Sequence, residues 1–401
     1  MTRAERSEPG SLSRQDAEQV GRALVELVRR PEARTADPRE LVAQVPALVL
    51  VERALHHRLP GVVHRSLLHL GLDGPEFAGL GAAYQMATLA HRRCLVELAT
   101  VAGVLGDTRR PWMVVKGPVL AERCYGDVGA RLYDDLDLVV PPPDFARALS
   151  AIEASGGRVT GLNWPLVVAR RRAEIPLVLP HGMLGDLHWD LLGTPRMRSR
   201  FTLPLAGLFD RGRTVTVGGT EVPTLDPVDG LIYLCLHGSL SGGDQLVWVK
   251  DLDQTVESEP VDWDELVRRA RRARADLVVA MQLERARVVL GTRVPAEVPV
   301  ALAGDDRWWR WWRSREQRAG LAGWGQPARP DSRLVSATSA TGVASAVELS
   351  RVVVSDMAIH YLGRFRRDRR DGDPVPVLYR PVGAVGGRAE YLARVEETPW
   401  P

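Results

Sequence analysis

The sequence predicts an α+β fold, in which helices lie towards both ends of the chain and short strands lie between them. Apolar residues recur at helical spacing between residues 16 and 105. Short apolar and β-branched segments follow at 112–115, 135–140 and 184–192, each bounded by turn residues. Helical spacing returns after residue 226. This order of elements is typical of a sheet-containing core between two helical regions.

Size and composition indicate a soluble protein. The chain has 401 residues, of which 45% are hydrophobic, so it can bury a sizeable core in about two domains. A net charge of +3 gives no reason to expect a nucleic-acid partner. The three cysteines are far apart in sequence, which predicts reduced thiols in a cytoplasm. Residues 1–15 lack the apolar core of a signal peptide, and no uncharged apolar run is long enough to cross a membrane. We therefore expect a cytoplasmic protein with no membrane partner.

The first quarter of the chain, residues 1–106, is expected to be a helical segment that packs on the rest. Gly74-Pro75 interrupts its helical pattern. The helices are expected at 16–30, 39–57, 62–70 and about 76–105. Several histidines lie in these helices, but no carboxylate or cysteine accompanies them at ligand spacing. Ordinary surface or core histidines are therefore the favoured interpretation.

A possible anion site follows at the end of the first strand. The strand at 112–115 leads into Lys116-Gly117-Pro118 and a helix at about 119–125. Glycine allows the backbone to approach a ligand closely, and a helix N-terminus presents free N–H groups and a positive dipole end. Lys116 adds a full charge. The same tripeptide is also compatible with a plain turn, so this signal is weak by itself.

The next strand carries closely spaced carboxylates. Asp135 and Asp137 alternate along an apolar segment and therefore emerge on the same face. Two carboxylates this close repel each other unless a cation lies between them, and oxygen ligands suit Mg²⁺ or Mn²⁺. A turn or helix-capping role is the alternative. Asp134 is expected on the opposite face, facing solvent or Arg131. Arg131 either binds a phosphate or pairs with one of the neighbouring aspartates, and the sequence leaves both open.

A third acid, Asp186, lies in the segment 184–192. In a strand, Asp186, His188 and Asp190 would share one face. A third carboxylate can complete the shell of a cation and help to deprotonate an attacking hydroxyl. His188 is expected to orient Asp186. If this strand and the glycine turn face one crevice, the arrangement suits phosphoryl or nucleotidyl transfer, which depends on positioning and on neutralisation of spread charge.

In order and approximate spacing, these motifs resemble the uncharacterised nucleotidyltransferase family within the polymerase beta superfamily. The resemblance rests on Lys116-Gly117, Arg131, Asp135–Val139 and Asp186–Trp189. It covers 112–192 and extends, less specifically, to His237 and 246–252. It implies a polymerase beta-type nucleotidyltransferase core, a small mixed sheet flanked by helices, which we assign to residues 107–224. The wider superfamily usually has Gly-Ser at the phosphate turn, whereas Lys116-Gly117-Pro118 matches the narrower family.

The resemblance also implies a reaction. A nucleoside monophosphate would pass from a nucleoside triphosphate to an acceptor hydroxyl, with Mg²⁺ (or Mn²⁺) as cofactor and pyrophosphate as the leaving group. Asp135 and Asp137 would be metal ligands, and Asp186 would be a further ligand and the third catalytic carboxylate. The triphosphate would lie along Lys116 and Gly117. The acceptor could be a sugar, an antibiotic, a peptide or a protein side chain, and no motif identifies the base.

Residues 225–401 are expected to form a mainly helical domain, preceded by a hairpin at 214–223 around Gly218-Gly219. By resemblance, this domain would close over the nucleotide or hold the acceptor. Lys250 either reaches a phosphate or is structural. In 308–312, the interleaved Trp and Arg residues favour core or interface packing over base stacking or membrane binding. The remaining expectations are a loop or linker at 327–341, a helix at 343–362 and a solvated basic run at 364–370.

Two further functions stay open at this point. One is a non-catalytic nucleotide-binding partner protein of a biosynthetic pathway, although the presence of all three carboxylates argues against it. The other is a kinase-like phosphoryl transferase that uses the same acidic strand. The leaving group distinguishes the latter from a nucleotidyltransferase, because a kinase releases a nucleoside diphosphate and a nucleotidyltransferase releases pyrophosphate.

Overall fold

The structure is a computed structural model that describes residues 12–160, 163–326, 332–353 and 387–400. It contains a small mixed sheet with helices before, within and after it, so the predicted α+β class is confirmed. Among the described residues, no helix combines the length and the apolar character that a bilayer crossing requires.

The helices before the sheet follow the predicted pattern with one exception. Their bounds are α1 (Arg14–Val28), α2 (Pro38–Val42), α3 (Ala47–His56), α4 (Pro60–His69) and α5 (Ala78–Asp107). A single helix over 39–57 is wrong, because the chain leaves helical geometry between α2 and α3. Pro46 lies at the N-cap of α3, and its missing N–H and restricted φ favour a helix start at this point.

The five-stranded sheet has the order β1-β2-β5-β4-β3. β2 and β5 run parallel, and the other neighbouring pairs are antiparallel. The strands are β1 (Met113–Val115), β2 (Asp135–Val139), β3 (Arg158–Val159), β4 (Glu174–Val178) and β5 (Leu184–His188). β2 and β5 are direct neighbours although 44 residues separate Val139 from Leu184. The crossover between them consists of β3, β4 and the helices α7 (Phe145–Ala154) and α8 (Trp164–Arg170).

One face of this sheet is packed against helices. Leu136, Leu138 and Leu187 are fully buried in a cluster with Leu98 of α5 and Phe145 of α7 (Phe145–Ala154). Since side chains alternate between faces, the aspartates of β2 point to the other face. This second face is closed at one edge by a smaller apolar cluster, built from Val115, Val139, Leu205, Leu208 and Tyr233.

Short helices connect the strands, and a hairpin follows the sheet. The helices are α6 (Gly117–Arg123), α8 (Trp164–Arg170), α9 (Pro195–Arg200) and α10 (Leu205–Arg211). The predicted hairpin is confirmed as β6 (Arg213–Val217) and β7 (Thr220–Thr224). Both turn glycines have positive φ angles of 55° and 81°, as a type I′ turn requires.

The chain after the hairpin is helical. The first helix, α11, begins after the N-cap Asp226, whose side chain accepts a hydrogen bond from the Asp229 N–H. The helices are α11 (Pro227–Leu240), α12 (Leu246–Ser258), α13 (Trp263–Arg272), α14 (Asp276–Leu290), α15 (Glu297–Ala303), α16 (Arg307–Ala319), α17 (Ala322–Gly325), α18 (Ser332–Ala337), α19 (342–353) and α20 (Gly387–Glu396).

The tryptophan cluster of α16 packs in the helical core. Trp308, Trp309 and Trp312 are buried, whereas Trp311 is 41% exposed. The rings of Trp309 and Trp312 stack with a centroid distance of 5.5 Å. Core packing is thus confirmed for Trp308 and Trp312, and Trp309 is buried with them. Trp311 lies beside Trp308, with ring centroids 5.2 Å apart, although it is partly exposed.

Part of the predicted linker is also helical, since α18 lies within 327–341. The helix predicted at 343–362 is confirmed over 342–353. Residues 327–331, 354–362 and the basic run 364–370 lie outside the described residues.

The N-terminal and C-terminal helices share one hydrophobic core. Apolar residues of α1, α3 and α4 lie in the same buried cluster as those of α11, α12 and α14. The closest crossing is between α1 and α17. A Cβ added at Gly21 would lie 1.9 Å from the Leu321 carbonyl oxygen, and one at Gly325 would lie 2.0 Å from that of Ala17. Glycine at both positions allows this backbone contact. The predicted domain limits of 106 and 224 stay a prediction.

Replacement of Gly21 by alanine should therefore lower the free energy of unfolding by about 3 kcal/mol, because the new methyl group overlaps a backbone oxygen that cannot move alone. Gly103→Ala is the matched control in a helix, since a Cβ there meets nothing within 4 Å. It should raise stability by up to about 1 kcal/mol through helix propensity. Urea denaturation measures both values. Equal effects of the two substitutions would contradict the close crossing.

Candidate active site

Three carboxylates share the open face of the sheet. The pairing of parallel β2 and β5 places Asp137 directly opposite Asp186, and Asp135 one pleat before Asp137. Ligand atoms of Asp137, Asp186 and His188 lie within 4.8 Å of one another. The register therefore brings together residues that are about 50 positions apart in sequence.

Asp137 is the most buried of the three and already has two partners. Its side chain is 5% exposed, its Oδ2 lies 2.9 Å from Lys116 Nζ, and its Oδ1 lies 3.0 Å from His188 Nε2. Burial acts to raise the pKa of Asp137, but the Lys116 charge and the His188 hydrogen bond outweigh it and hold this pKa well below its usual range. The same ion pair raises the pKa of Lys116 despite its burial. Asp137 is therefore ionised and Lys116 protonated.

The pKa values of the other two carboxylates, Asp135 and Asp186, shift in the opposite direction from that of Asp137. Burial, and then the charge of Asp137, raise the pKa of Asp135. Burial also raises the pKa of Asp186; His188 opposes this shift, and Asp137 adds to it. Burial is the larger cause of both shifts, and the charge of Asp137 adds to each. A divalent cation relieves this repulsion, and carboxylate oxygens are the ligands that Mg²⁺ and Mn²⁺ prefer. The donor set therefore fits such an ion.

His188 contacts a different carboxylate from the one that was expected. It was expected to orient Asp186, whereas its Nε2 contacts Asp137. Its Nδ1 is buried without a hydrogen bond in the described part of the chain, and Glu174 Oε2 lies 3.6 Å away. Glu174 belongs to β4 and is paired with His188 in the sheet register. Sequence reasoning missed Glu174, because antiparallel β4–β5 register is not visible in the sequence.

The glycine turn lies against the carboxylates and has an uncommon backbone. Lys116 has φ 58° and ψ −134°, and Gly117 has φ 38°. A non-glycine residue in this region costs on the order of 1–3 kcal/mol, and such strain is concentrated at functional sites. The turn directs the Lys116 ammonium to Asp137. The structure thus brings Lys116 and Gly117 to the acidic strand, as the sequence order suggested.

Arg131 is held by a residue that the sequence analysis did not pair with it. Its guanidinium is 8% exposed and donates to both carboxylate oxygens of Asp251, from Nε to Oδ1 and from Nη2 to Oδ2, each at 2.9 Å. Tyr125 also donates to Asp251 Oδ1, at 2.8 Å. A further Arg131 hydrogen bond reaches the Gly117 carbonyl. This charge-balanced pair ties α12 to the glycine turn. The proposed partner Asp134 instead pairs with Arg58 at 2.7 Å.

Lys250 lies elsewhere. Its ammonium is buried and donates to Asp253 Oδ2 at 2.8 Å, and it lines a cavity on a different side of α12. Successive residues of a helix are about 100° apart, so Lys250 and Asp251 point in different directions. The structure does not bring Lys250 to the carboxylates.

Asp190 also lies apart from the cluster. β5 ends at His188, and Asp190 lines a separate cavity beside Arg198 and Trp189. Burial raises the pKa of Asp190 to about 6. The predicted common face of Asp186, His188 and Asp190 therefore extends only to His188.

A cavity of about 250 Å³ opens beside Lys116, Asp135 and Asp137. α11 and the start of α12 form a further wall of this cavity, which includes His237 and Trp248. Burial, and then the charge of Lys116, lower the pKa of His237 to about 3, so its imidazole is neutral. Sequence reasoning did not single out Trp248, because a tryptophan at helical spacing is usually a core residue.

Comparison with known proteins identifies one family. A family model described as an uncharacterised nucleotidyltransferase matches residues 46–291, which is more than half of the chain. The match includes the glycine turn, the carboxylate strands and α12. No curated protein matches the chain.

Asp251→Asn should lower the free energy of unfolding by about 3–5 kcal/mol, because it leaves the buried Arg131 charge without its counter-charge. Asp134→Asn is the control. Its ion pair with Arg58 is exposed, with Asp134 at 61%, so the loss should stay below about 1 kcal/mol. Urea denaturation of both variants separates the outcomes. A small effect of Asp251→Asn would show that Arg131 is not held by this pair.

Proposed function

We propose that this chain, which belongs to the uncharacterised nucleotidyltransferase family, is a metal-dependent nucleotidyltransferase that transfers a nucleoside monophosphate from a nucleoside triphosphate to an acceptor hydroxyl. The observation that carries the proposal is the pairing of Asp137 with Asp186 on one sheet face, with Lys116 at 2.9 Å from Asp137. The sheet and its helices would then be a core of the polymerase beta type.

Asp135, Asp137 and Asp186 would hold Mg²⁺ or Mn²⁺. When bound, a divalent cation neutralises charge on phosphate oxygens and favours the ionised form of a hydroxyl. Support for this role comes from the chemistry of the donor set and from the closeness of its ligand atoms, since those of Asp137, Asp186 and His188 lie within 4.8 Å of one another.

Lys116 would bind the triphosphate. The strained turn and the ion pair with Asp137 fix its ammonium, so a positive charge is preorganised beside the carboxylates. A fixed cation costs little reorganisation when charge develops on the phosphate, and this preorganisation is a main source of catalysis in phosphoryl chemistry. Gly117 allows the triphosphate to approach the backbone. Arg131 keeps this turn in place through the Gly117 carbonyl, while Asp251 balances its charge.

Asp186 would act as the general base. It lies beside Asp137 at the same level of the sheet, so a carboxylate oxygen of Asp186 that does not bind the cation could accept the proton of an acceptor hydroxyl. In the reaction, the acceptor oxygen forms a bond to the α-phosphorus and transfers its proton to Asp186. The bond from the α-phosphorus to the bridging oxygen breaks, and pyrophosphate leaves. His188 holds Asp137 in orientation.

Asp186→Asn tests this role. The variant should lower pyrophosphate release by about 10²–10⁴-fold, because it removes the base and a metal ligand together. Its thermal midpoint should not fall, since the change relieves carboxylate repulsion. Pyrophosphate release and the mass of nucleotide adducts are measured with four triphosphates, Mg²⁺ or Mn²⁺, and a panel of sugars, hydroxyl-bearing antibiotics and peptides.

Asp190→Asn is the matched control. It alters a half-buried aspartate four positions away that lies at another cavity, and asparagine keeps the oxygen that accepts from the Leu192 N–H. This variant should keep wild-type turnover. If Asp186→Asn also keeps it, or if the product of the wild type is a nucleoside diphosphate, the proposed function is wrong.

A further inference from the structure

Two chemically different sets of side chains line the cavity at the carboxylates. One set is charged and includes Lys116, Asp135 and Asp137. The other set is uncharged and comprises His237 of α11, Gln245 at the N-cap of α12 and Trp248 of α12. A nucleoside triphosphate has the same division, because its phosphates are charged and its base is a neutral heteroaromatic ring.

The uncharged side chains carry hydrogen-bonding groups without a partner in the described part of the protein. Within the described ranges, neither the Gln245 amide nor the Trp248 indole N–H has a hydrogen bond, and the His237 ring makes only aromatic contacts. His237 is neutral and so provides one donor and one acceptor. Polar groups at a partly buried wall are normally paired. All three side chains line the same cavity, which points to a ligand that pairs with them.

The wall is also held in place. At the start of α12, the Leu246 N–H donates to His57 Nδ1 and the Val247 N–H donates to the His57 carbonyl, each at 3.2 Å. Trp248 lies close to α11, since a Cβ added at Gly238 would be 3.0 Å from Trp248 Cβ. The His237 ring stands edge-on to the indole at 6.4 Å. An aromatic ring fixed in this way can act as a stacking platform without a large ordering cost.

We infer that Trp248 stacks on the base of the nucleoside triphosphate and that Gln245 and His237 bind the edge of that base. The inference rests on the proposed function and extends it, because it assigns this wall to the nucleotide and not to the acceptor. The same wall would then determine which nucleotide is used. An amide next to a stacking ring can recognise a base edge that presents an adjacent donor and acceptor.

Trp248→Leu and Gln245→Ala test the inference by calorimetric titration in the presence of Mg²⁺. The ligands are the four nucleoside triphosphates and inorganic tripolyphosphate, which has the charge but no base. Trp248→Leu should weaken nucleotide binding by about tenfold or more, the size of one lost stacking contact, and leave tripolyphosphate binding unchanged. Gln245→Ala, which alters a position before the helix, should change the relative affinities of the four nucleotides. Trp311→Leu is the control, because Trp311 is exposed on α16 and should affect neither ligand.

The outcomes separate this inference from the proposed function. If the wild type binds neither a nucleotide nor tripolyphosphate, the proposed function and the inference both fail. If the wild type binds both and Trp248→Leu weakens both equally, only the inference fails. It also fails if Trp248→Leu leaves all nucleotide affinities unchanged and instead lowers the yield of an acceptor adduct, since the wall then holds the acceptor.

Discussion

The register between parallel β2 and β5 is the constraint on which the site depends. Asp137 and Asp186 meet because their Cα atoms are direct partners in this pairing. Leu136, Leu138 and Leu187 fill the opposite face and are fully buried. A slip of one residue would exchange the faces of β5, so that Asp186 would enter the apolar layer and Leu187 would leave it. Packing of the hydrophobic face therefore also positions the carboxylates.

The charged side chains around this pairing can attract both a cation, through the aspartates, and a polyanion, through Lys116. Three aspartates face one lysine, and burial together with the charge of Asp137 raises the pKa values of Asp135 and Asp186. Arg131 stabilises the glycine turn, but its charge is balanced by Asp251. Lys116 is thus the cation of the turn that stands closest to the acidic strand. The positive φ angle of Lys116 costs free energy, and residues with such backbone angles are concentrated at functional sites.

Local patterns in the sequence predicted the helices, the hairpin and the sheet face of the aspartates, because each depends on residues that are near in sequence. The division of 39–57 into two helices was missed, although Pro46 signals it. Long-range partners could not be predicted. Arg131 pairs with Asp251, which is 120 residues away, and Glu174 reaches His188 only through the register of β4 and β5. The wall with Trp248 and Gln245 depends on how α11 and α12 pack, which no local motif encodes.

The central claim is that Asp137 and Asp186 form one cation site beside the Lys116 turn. A crystal grown with Mn²⁺ and a non-hydrolysable nucleoside triphosphate tests it through anomalous scattering at the manganese edge. The account predicts an anomalous peak within coordination distance of carboxylate oxygens from both residues, with a phosphate oxygen in the same shell. Manganese found only at surface acids, with the triphosphate away from Lys116, would contradict it.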